Sequence, residues 1–423
     1  MGELKICGER LKALSIKLRI KNLELRTKIF FFVILILVVM GGAGWWFMRG
    51  EDGGILSPLG MKKQENGLKI VGFLPTWMVG KTKIYGEELD RLVFLGVEVN
   101  EKGDLVWDVQ GKKINNPDYL KIKEEIKKTG GENILGVKLF KDEKLKKLMA
   151  SSEARGRLVE QVMAAVEAGN FDGVNLDFEY QYDPLAVTEE VFLGLIAEMR
   201  GAGIENISLD VFANTIIKSG YERLFKLVGA VDEVLVMAYD FHASGSSSAG
   251  PVAPLGAPTG ERSILEVLEK IESSGVDKNK ITIALPLYGY QWKTETTELG
   301  SPATDYVAML TYAKMGEFLQ SDEFLGRVNQ NWDELSATPW IWLKKQETVS
   351  WKERVKVGKV WKTVAKSKQV EVIHQVYYED QRSLMEKIKA IREAGINSIG
   401  FWALGYEGET NLLGTIRNDQ NDN

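Results

Sequence analysis

The chain of 423 residues holds a single cysteine, Cys7, and two histidines, His242 and His374. One cysteine excludes an internal disulfide framework and any multi-cysteine metal centre. Two histidines leave little for a histidine-based metal site, and no phosphate-cradling loop is present, so the sequence implies neither metal nor cofactor. No Gly-rich GxGxxG follows the first β-rich run, which removes one reason to expect a dinucleotide-binding sheet. Positive charge is also short: the net charge is −5, which argues against nucleic acid as the main partner. Hydrophobic residues at 44% and charged residues at 27% are ordinary for a chain with a large core, so wholesale disorder is excluded.

The charge is unevenly placed. Residues 1–28 carry eight Lys/Arg and three Glu, a net of +5, which leaves −5 − 5 = −10 for residues 29–423. The basic stretch gives way to Ile29–Met48, 20 residues without a charge. At ~1.5 Å per residue such a helix spans a ~30 Å hydrocarbon layer. The sequence therefore predicts a cytoplasmic segment 1–28, a transmembrane helix 29–48 and a Gly-rich linker 49–67. The basic flank holds the N-terminus inside and places the remainder outside. Trp45 and Trp46 stand where an interfacial belt lies. The alternative is a cleaved signal peptide ending in the small residues 41–44, with the rest secreted.

From residue 68 to 417, short β-rich runs alternate with helical periodicities. Eight runs (68–74, 92–99, 133–140, 171–178, 207–212, 232–239, 280–287 and 396–403) predict a (β/α)8 barrel, an α/β fold, with an open doubly wound sheet as alternative. About 80 residues, 291–370, separate the seventh run from the last helix. A structureless loop of that length is unusual, so they predict an inserted subdomain. Residues 418–423 read as a polar tail. Within the insertion, 344–368 hold nine Lys/Arg against Glu347 and Glu353, a net of +7. The alternation RVKVGKVWKTV reads as a hairpin with a basic face, either a solvated edge or a contact for an anionic wall polymer.

The chemistry concentrates in Asp172-Gly173-Val174-Asn175-Leu176-Asp177-Phe178-Glu179. Side chains alternate along a strand, so Asn175, Asp177 and Glu179 share one face and Val174, Leu176 and Phe178 the other. In a barrel the polar set faces the interior, where burying two carboxyls is costly without a purpose. Crowded carboxyls push their pKa values apart, and that keeps one protonated as a general acid requires. The bland alternative is a solvated strand with an acidic face. Trp77, Tyr288 and Trp292 follow strands and are candidate sugar-lining aromatics, with packing the competing role. His242 lies close behind, and a lone histidine there reads as structural.

DGVNLDFE resembles the DGxDxDxE signature of family 18 glycoside hydrolases, the chitinase-like barrels. Met237-Ala238-Tyr239-Asp240 is similar to that family's MxYD segment, Pro286-Leu287-Tyr288-Gly289 to its P-x-Y-G segment, and Phe401-Trp402 to its floor tryptophan. Tyr377-Tyr378-Glu379-Asp380 followed by GFWALG resembles the spore-cortex and peptidoglycan-associated branch. The resemblance spans roughly 68–410. It implies a glycosidase acting on β-1,4-linked N-acetylglucosamine glycans, with the substrate's 2-acetamido oxygen as nucleophile. It implies Glu179 as acid, Asp177 orienting the acetamido N–H, Tyr239 bonding the acetamido oxygen, Asp240 contacting sugar or supporting the acid, Met237 lining the pocket and Trp402 as floor. Asp172, of opposite parity, is expected to support. Two departures stand out. Asn175 replaces the middle Asp and is expected to donate an N–H to Asp177; Lys138 stands in a third strand that lacks the S-x-G-G of typical chitinases. A non-hydrolytic glycan-binding module on the same fold, and an unrelated barrel with an acidic pocket, are the competing readings.

Overall fold

The computed structural model describes residues 67–107, 114–179, 189–321, 328–357 and 360–421. The expected cytoplasmic segment, the membrane span 29–48 and the linker up to residue 66 lie outside the described residues. Among the described residues no helix is long and apolar enough to cross a membrane.

The chain alternates β1 (Lys69–Pro75), β2 (Arg91–Val99), β3 (Leu105–Trp107), α1 (Pro117–Lys128), β4 (Glu132–Lys138), α2 (Asp142–Ala150), α3 (Ser152–Gly169), β5 (Gly173–Asp177), α4 (Glu189–Gly201), β6 (Ile207–Phe212), α5 (Ala213–Lys218), α6 (Tyr221–Ala230), β7 (Glu233–Met237), α7 (Ile264–Ser274) and β8 (Ile281–Pro286). An antiparallel insertion follows, with β9 (Tyr288–Thr294), β10 (Ala303–Thr311), α8 (Tyr312–Gln320), β11 (Asn329–Asp333), β12 (Thr338–Val357) and β13 (Val360–Tyr377). Then come α9 (Gln381–Glu393), β14 (Ser398–Trp402) and α10 (Leu412–Asn421). Strands β1, β2, β4, β5, β6, β7, β8 and β14 pair in parallel, and β1 bonds both β14 and β2, so the barrel closes. All eight predicted strand runs are barrel strands. β3 was not expected; it adds antiparallel to the end of β2.

The helices form where apolar residues recur at helical spacing. In α7, Ile264, Val267, Leu268 and Ile271 are buried on one face. Ser263 caps the start by accepting the Glu266 N–H, and Gly275 at φ 67° ends it. The outward faces of the strands and these stripes make one core between sheet and helices. Inside the barrel, Val71, Phe73, Val93, Leu95, Ile134, Leu235 and Ala284 fill part of the lumen. Its N-terminal end is closed by ions instead. Arg91 pairs with Glu132 and Glu233, and Lys69 reaches Glu233 at 3.0 Å.

The insertion is a five-stranded sheet in the order β10-β9-β13-β12-β11. It spans Tyr288–Tyr377, wider than the 291–370 read from the sequence, because β9 and β13 pair close to the barrel through Tyr377 and Tyr290. Beyond its neighbours the β12–β13 ribbon continues as two strands to Val357–Val360. Lys352, Arg354 and Lys356 share the expected basic face. The other face carries exposed Val349, Trp351 and Val364 together with Lys362, Lys366 and Lys368. The basic residues thus divide between both faces instead of forming the one expected, because the register of β13 against β12 sets its lysines opposite Val349, Trp351 and Val355. The C-terminal helix runs to Asn421, past the expected boundary of a polar tail, with Arg417 bonded to Asp90 at 2.8 Å and Asp419 to Gln381 at 3.2 Å.

Candidate active site

β5 delivers its polar face to the barrel's C-terminal mouth. Asn175 and Asp177 are buried, at 0% and 3% exposure, and Glu179 stands half-buried two residues beyond. Asp177 Oδ1 has no hydrogen-bond partner. Asn175 does not bond Asp177 as expected. Its amide donates instead across to β6, to Asp210 Oδ1 at 2.8 Å and Ser208 Oγ at 3.1 Å. The register sets Ser208 opposite Asn175 on the adjacent strand, with Asp210 one pleat further along β6 and within reach of the same amide.

Asp210 was not singled out in the sequence. It is a third interior carboxyl, 5% exposed, and with β6 it restores the acid that Asn175 removes from β5. Its signal was available: in Ile207-Ser-Leu-Asp-Val-Phe, Ser208 and Asp210 alternate with a buried apolar set.

The electrostatics follow from this crowding. Burial pushes Asp177 well above the usual carboxylate range, and the charges of Asp210 and Glu179 push it further, with Lys138 opposing. Burial likewise raises Asp210, to about 8, against the Asn175 amide that favours its ionised form. Glu179 is raised by burial and by Asp240, which favours the protonated acid. Asp240 stands at the rim with φ 56°, a left-handed conformation that aspartate tolerates better than most residues. Its Oδ1 accepts the hydroxyls of Tyr288 at 2.6 Å and Tyr290 at 3.1 Å.

The remaining sequence candidates separate. Tyr239 and Met237 line a cleft of about 620 Å³ together with Glu179 and Asp240. Trp402 packs over Phe73 at 6.0 Å between ring centroids, and Trp77 meets its edge at 6.4 Å, so these two aromatics join at the mouth. Lys138 points to the same region, 3.8 Å from Glu98 and 5.9 Å from the Trp77 ring centroid. Tyr288 is buried and spends its hydroxyl on Asp240, which makes it a positioning group. Trp292 is fully buried in the insertion against Tyr290 and Tyr377, and it lines no subsite. Along β9 Trp292 shares a face with Tyr288 and Tyr290 but lies further from Asp240, where Ala249, Trp340 and Tyr377 cover it. Asp172 sits at the start of β5 and accepts the Asn133 N–H at 2.8 Å; it ties β4 to β5 away from the catalytic end. Among the described residues no group of His, Cys, Asp and Glu is arranged to hold a metal ion.

Known proteins resemble this chain in sequence and in fold. The family model "Glycosyl hydrolases family 18" matches residues 69–407. A probable chitinase of Drosophila melanogaster is 25% identical over 283 residues, 64% of this chain and 54% of the relative. A putative sporulation-specific glycosylase of Bacillus subtilis is 27% identical over 276 residues, 63% of this chain and 54% of the relative. The chain thus spans about half the length of these curated relatives. In fold, it is similar to a chitinase from Cycas revoluta solved with allosamidin (TM-score 0.65, 19% identity, 83% of this chain and 99% of that one). A Group IV chitinase of Ostrinia furnacalis is equally similar (TM-score 0.65, 19% identity, 84% and 99%). With the family model covering most of the chain and the carboxyls of β5 at the barrel mouth, the chain belongs to glycosyl hydrolase family 18.

Proposed function

We propose that the chain is a membrane-anchored glycosidase that hydrolyses β-1,4 links in N-acetylglucosamine-containing glycans, peptidoglycan or chitooligosaccharides, with substrate assistance and net retention. The observation that carries this reading is the pairing of Glu179 with Asp177. Two residues along a strand is about 6.6 Å of rise, and both side chains leave the same face. An acid and a nucleophile of the two-carboxylate kind flank the bond being cut; two groups on one side do not. The 2-acetamido group of the substrate supplies the missing nucleophile.

In the first step Glu179 gives its proton to the glycosidic oxygen as the C1–O bond breaks. The acetamido carbonyl oxygen attacks C1 from the opposite face and closes an oxazolinium ring. Asp177 accepts the acetamido N–H on its unpartnered Oδ1 and offsets the positive charge that develops there. Tyr239 donates to the acetamido oxygen, and Trp402 forms the apolar floor. Water then attacks C1, loses a proton to Glu179 and reopens the ring with the configuration retained. Support for an acetamido sugar in this pocket comes from the Cycas revoluta chitinase, whose structure is known in complex with (GlcNAc)3.

The apolar run 29–48 supports a tether with the barrel outside the membrane, and the basic ribbon 344–368 suits contact with an anionic wall polymer. The test is Glu179→Gln, which keeps the shape and removes the proton. Turnover of a substrate with a poor leaving group should fall ~10²–10⁴-fold, with the fold intact by circular dichroism. Near-wild-type turnover would sink the assignment, and an inverted first-formed anomer by NMR would sink the mechanism.

A further inference from the structure

The cleft of about 620 Å³ beside Glu179 extends away from Trp402 and Trp77, between the ends of β6 and β7. Its wall beyond Tyr239 and Asp240 is basic. Arg262, from the loop before α7, and Lys218, at the end of α5, both line it. Arg262 Nη1 is buried and has no hydrogen-bond partner among the described residues. A guanidinium stays charged at any working pH, and a buried donor without an acceptor is costly. His242 lines the same cleft, its Nδ1 bonded to the Pro251 carbonyl at 3.2 Å. Its ring lies so close to Gly250 that a Cβ there would meet it at 2.5 Å, so the histidine is held in place.

Three carboxyl residues line the same cleft, and none of them is bonded to Arg262 Nη1. Glu179 is raised toward its protonated form, Asp240 is engaged by Tyr288 and Tyr290, and Glu261 is exposed. With the donor sugar over Trp402, this cleft receives the leaving-group sugar. A neutral glycan of acetamido sugars alone offers Arg262 no anion.

We infer that this cleft is an acidic-sugar subsite, in which Arg262, assisted by Lys218, binds a carboxylate carried by the leaving-group sugar. The inference rests on the glycosidase reading above and narrows its substrate. The bond cut joins a neutral acetamido sugar on the donor side to a carboxylate-bearing sugar of the N-acetylmuramic acid type on the other. Hydrolysis therefore leaves a neutral N-acetylglucosamine at the new reducing end.

The test uses the full chain and glycan strands alternating N-acetylglucosamine with N-acetylmuramic acid, either as the free acid or with that carboxyl methyl-esterified. The ratio of kcat/KM for acid over ester should be about tenfold or more in the wild type, the range of a charge-assisted hydrogen bond. It should collapse toward one in Arg262→Met and recover in part in Arg262→Lys. Borohydride reduction and mass spectrometry of the products should find N-acetylglucosaminitol. Equal rates on acid and ester in the wild type, an unchanged ratio in Arg262→Met, or muramitol ends would overturn the inference. If Arg262→Met fails to fold, the wild-type ratio decides. If the wild type cleaves neither strand, the glycosidase reading fails on its own, and binding of acid against ester to Glu179→Gln protein decides the subsite.

Discussion

Asp210 offers the sharpest test of how this site is charged. It lies one strand from Asp177, in the register that sets Asn175 opposite Ser208 and Leu176 opposite Leu209, so the two carboxyls are neighbours across β5 and β6. Facing side chains on adjacent strands stand about 5 Å apart. At an effective dielectric of ~20, two unit charges at that distance repel by about 3 kcal/mol, or about 2 pKa units. Asp210→Asn removes the charge and keeps the shape. In the proposed mechanism Asp177 acts as the ionised group, so its titration sets the acidic limb of kcat/KM. Its pKa is raised in the protein, partly by Asp210. Removing Asp210 must therefore lower it and carry the acidic limb to lower pH, by up to about 2 units. Since the two groups titrate as a pair, the shift is read on the macroscopic limb. The assay is a pH–rate profile on a fluorogenic acetamido glycoside, whose good leaving group reduces dependence on Glu179. An acidic limb that stays in place, or moves upward, would refute the coupling.

Other groups give independent outcomes. Tyr288→Phe removes the 2.6 Å hydrogen bond to Asp240, which costs the ionised Asp240 about 1.5–3 kcal/mol and raises its carboxyl further by about 1–2 units. A more protonated Asp240 raises Glu179 less, so the basic limb of the same profile should move to lower pH; an upward move would contradict the arrangement. Lys387 meets Glu379 at 2.5 Å, both fully buried, behind the insertion. Lys387→Met strands that carboxylate and should cost about 3–5 kcal/mol at neutral pH. Burial raises Glu379 in the folded state and Lys387 opposes this. Without the lysine, the folded pKa, already raised, rises further above the unfolded one. The variant's deficit should then be small below the unfolded pKa of an ordinary glutamate and grow as pH rises through it. Denaturant unfolding at pH 4 and pH 7 reads this. Adding Glu379→Gln should recover part of the loss at pH 7, and no recovery would show that the charge was not the cause.

What the sequence reveals here depends on whether an element's partner is local. The barrel strands are legible because each is a buried apolar run between helices, whereas the ribbon's lysines fall on both faces because the pairing of β12 with β13 sets the second strand's parity. Glu179 and Asp177 are legible because parity within one strand puts them together. Asn175 shows where this stops. Parity places its amide inside the barrel, but its acceptor is chosen by the register between β5 and β6, which no single strand encodes, and so Asp210 went unnoticed. Trp292 shows the same limit from the other side. An aromatic after a barrel strand is as fit for sugar as for packing, and only the fold-back of β13 onto β9, more than 80 residues on, buries it. Arg262 and Lys218 lie after different strands, in a loop and at a helix end, and neither stretch marks them. Only the parallel pairing of β6 with β7 brings the two segments side by side and turns two scattered cations into one wall beside Glu179. In this fold Asp177 and Glu179 are written along one strand and its continuation, and the groups beside them, Asp210, Arg262 and Lys218, are written across strands.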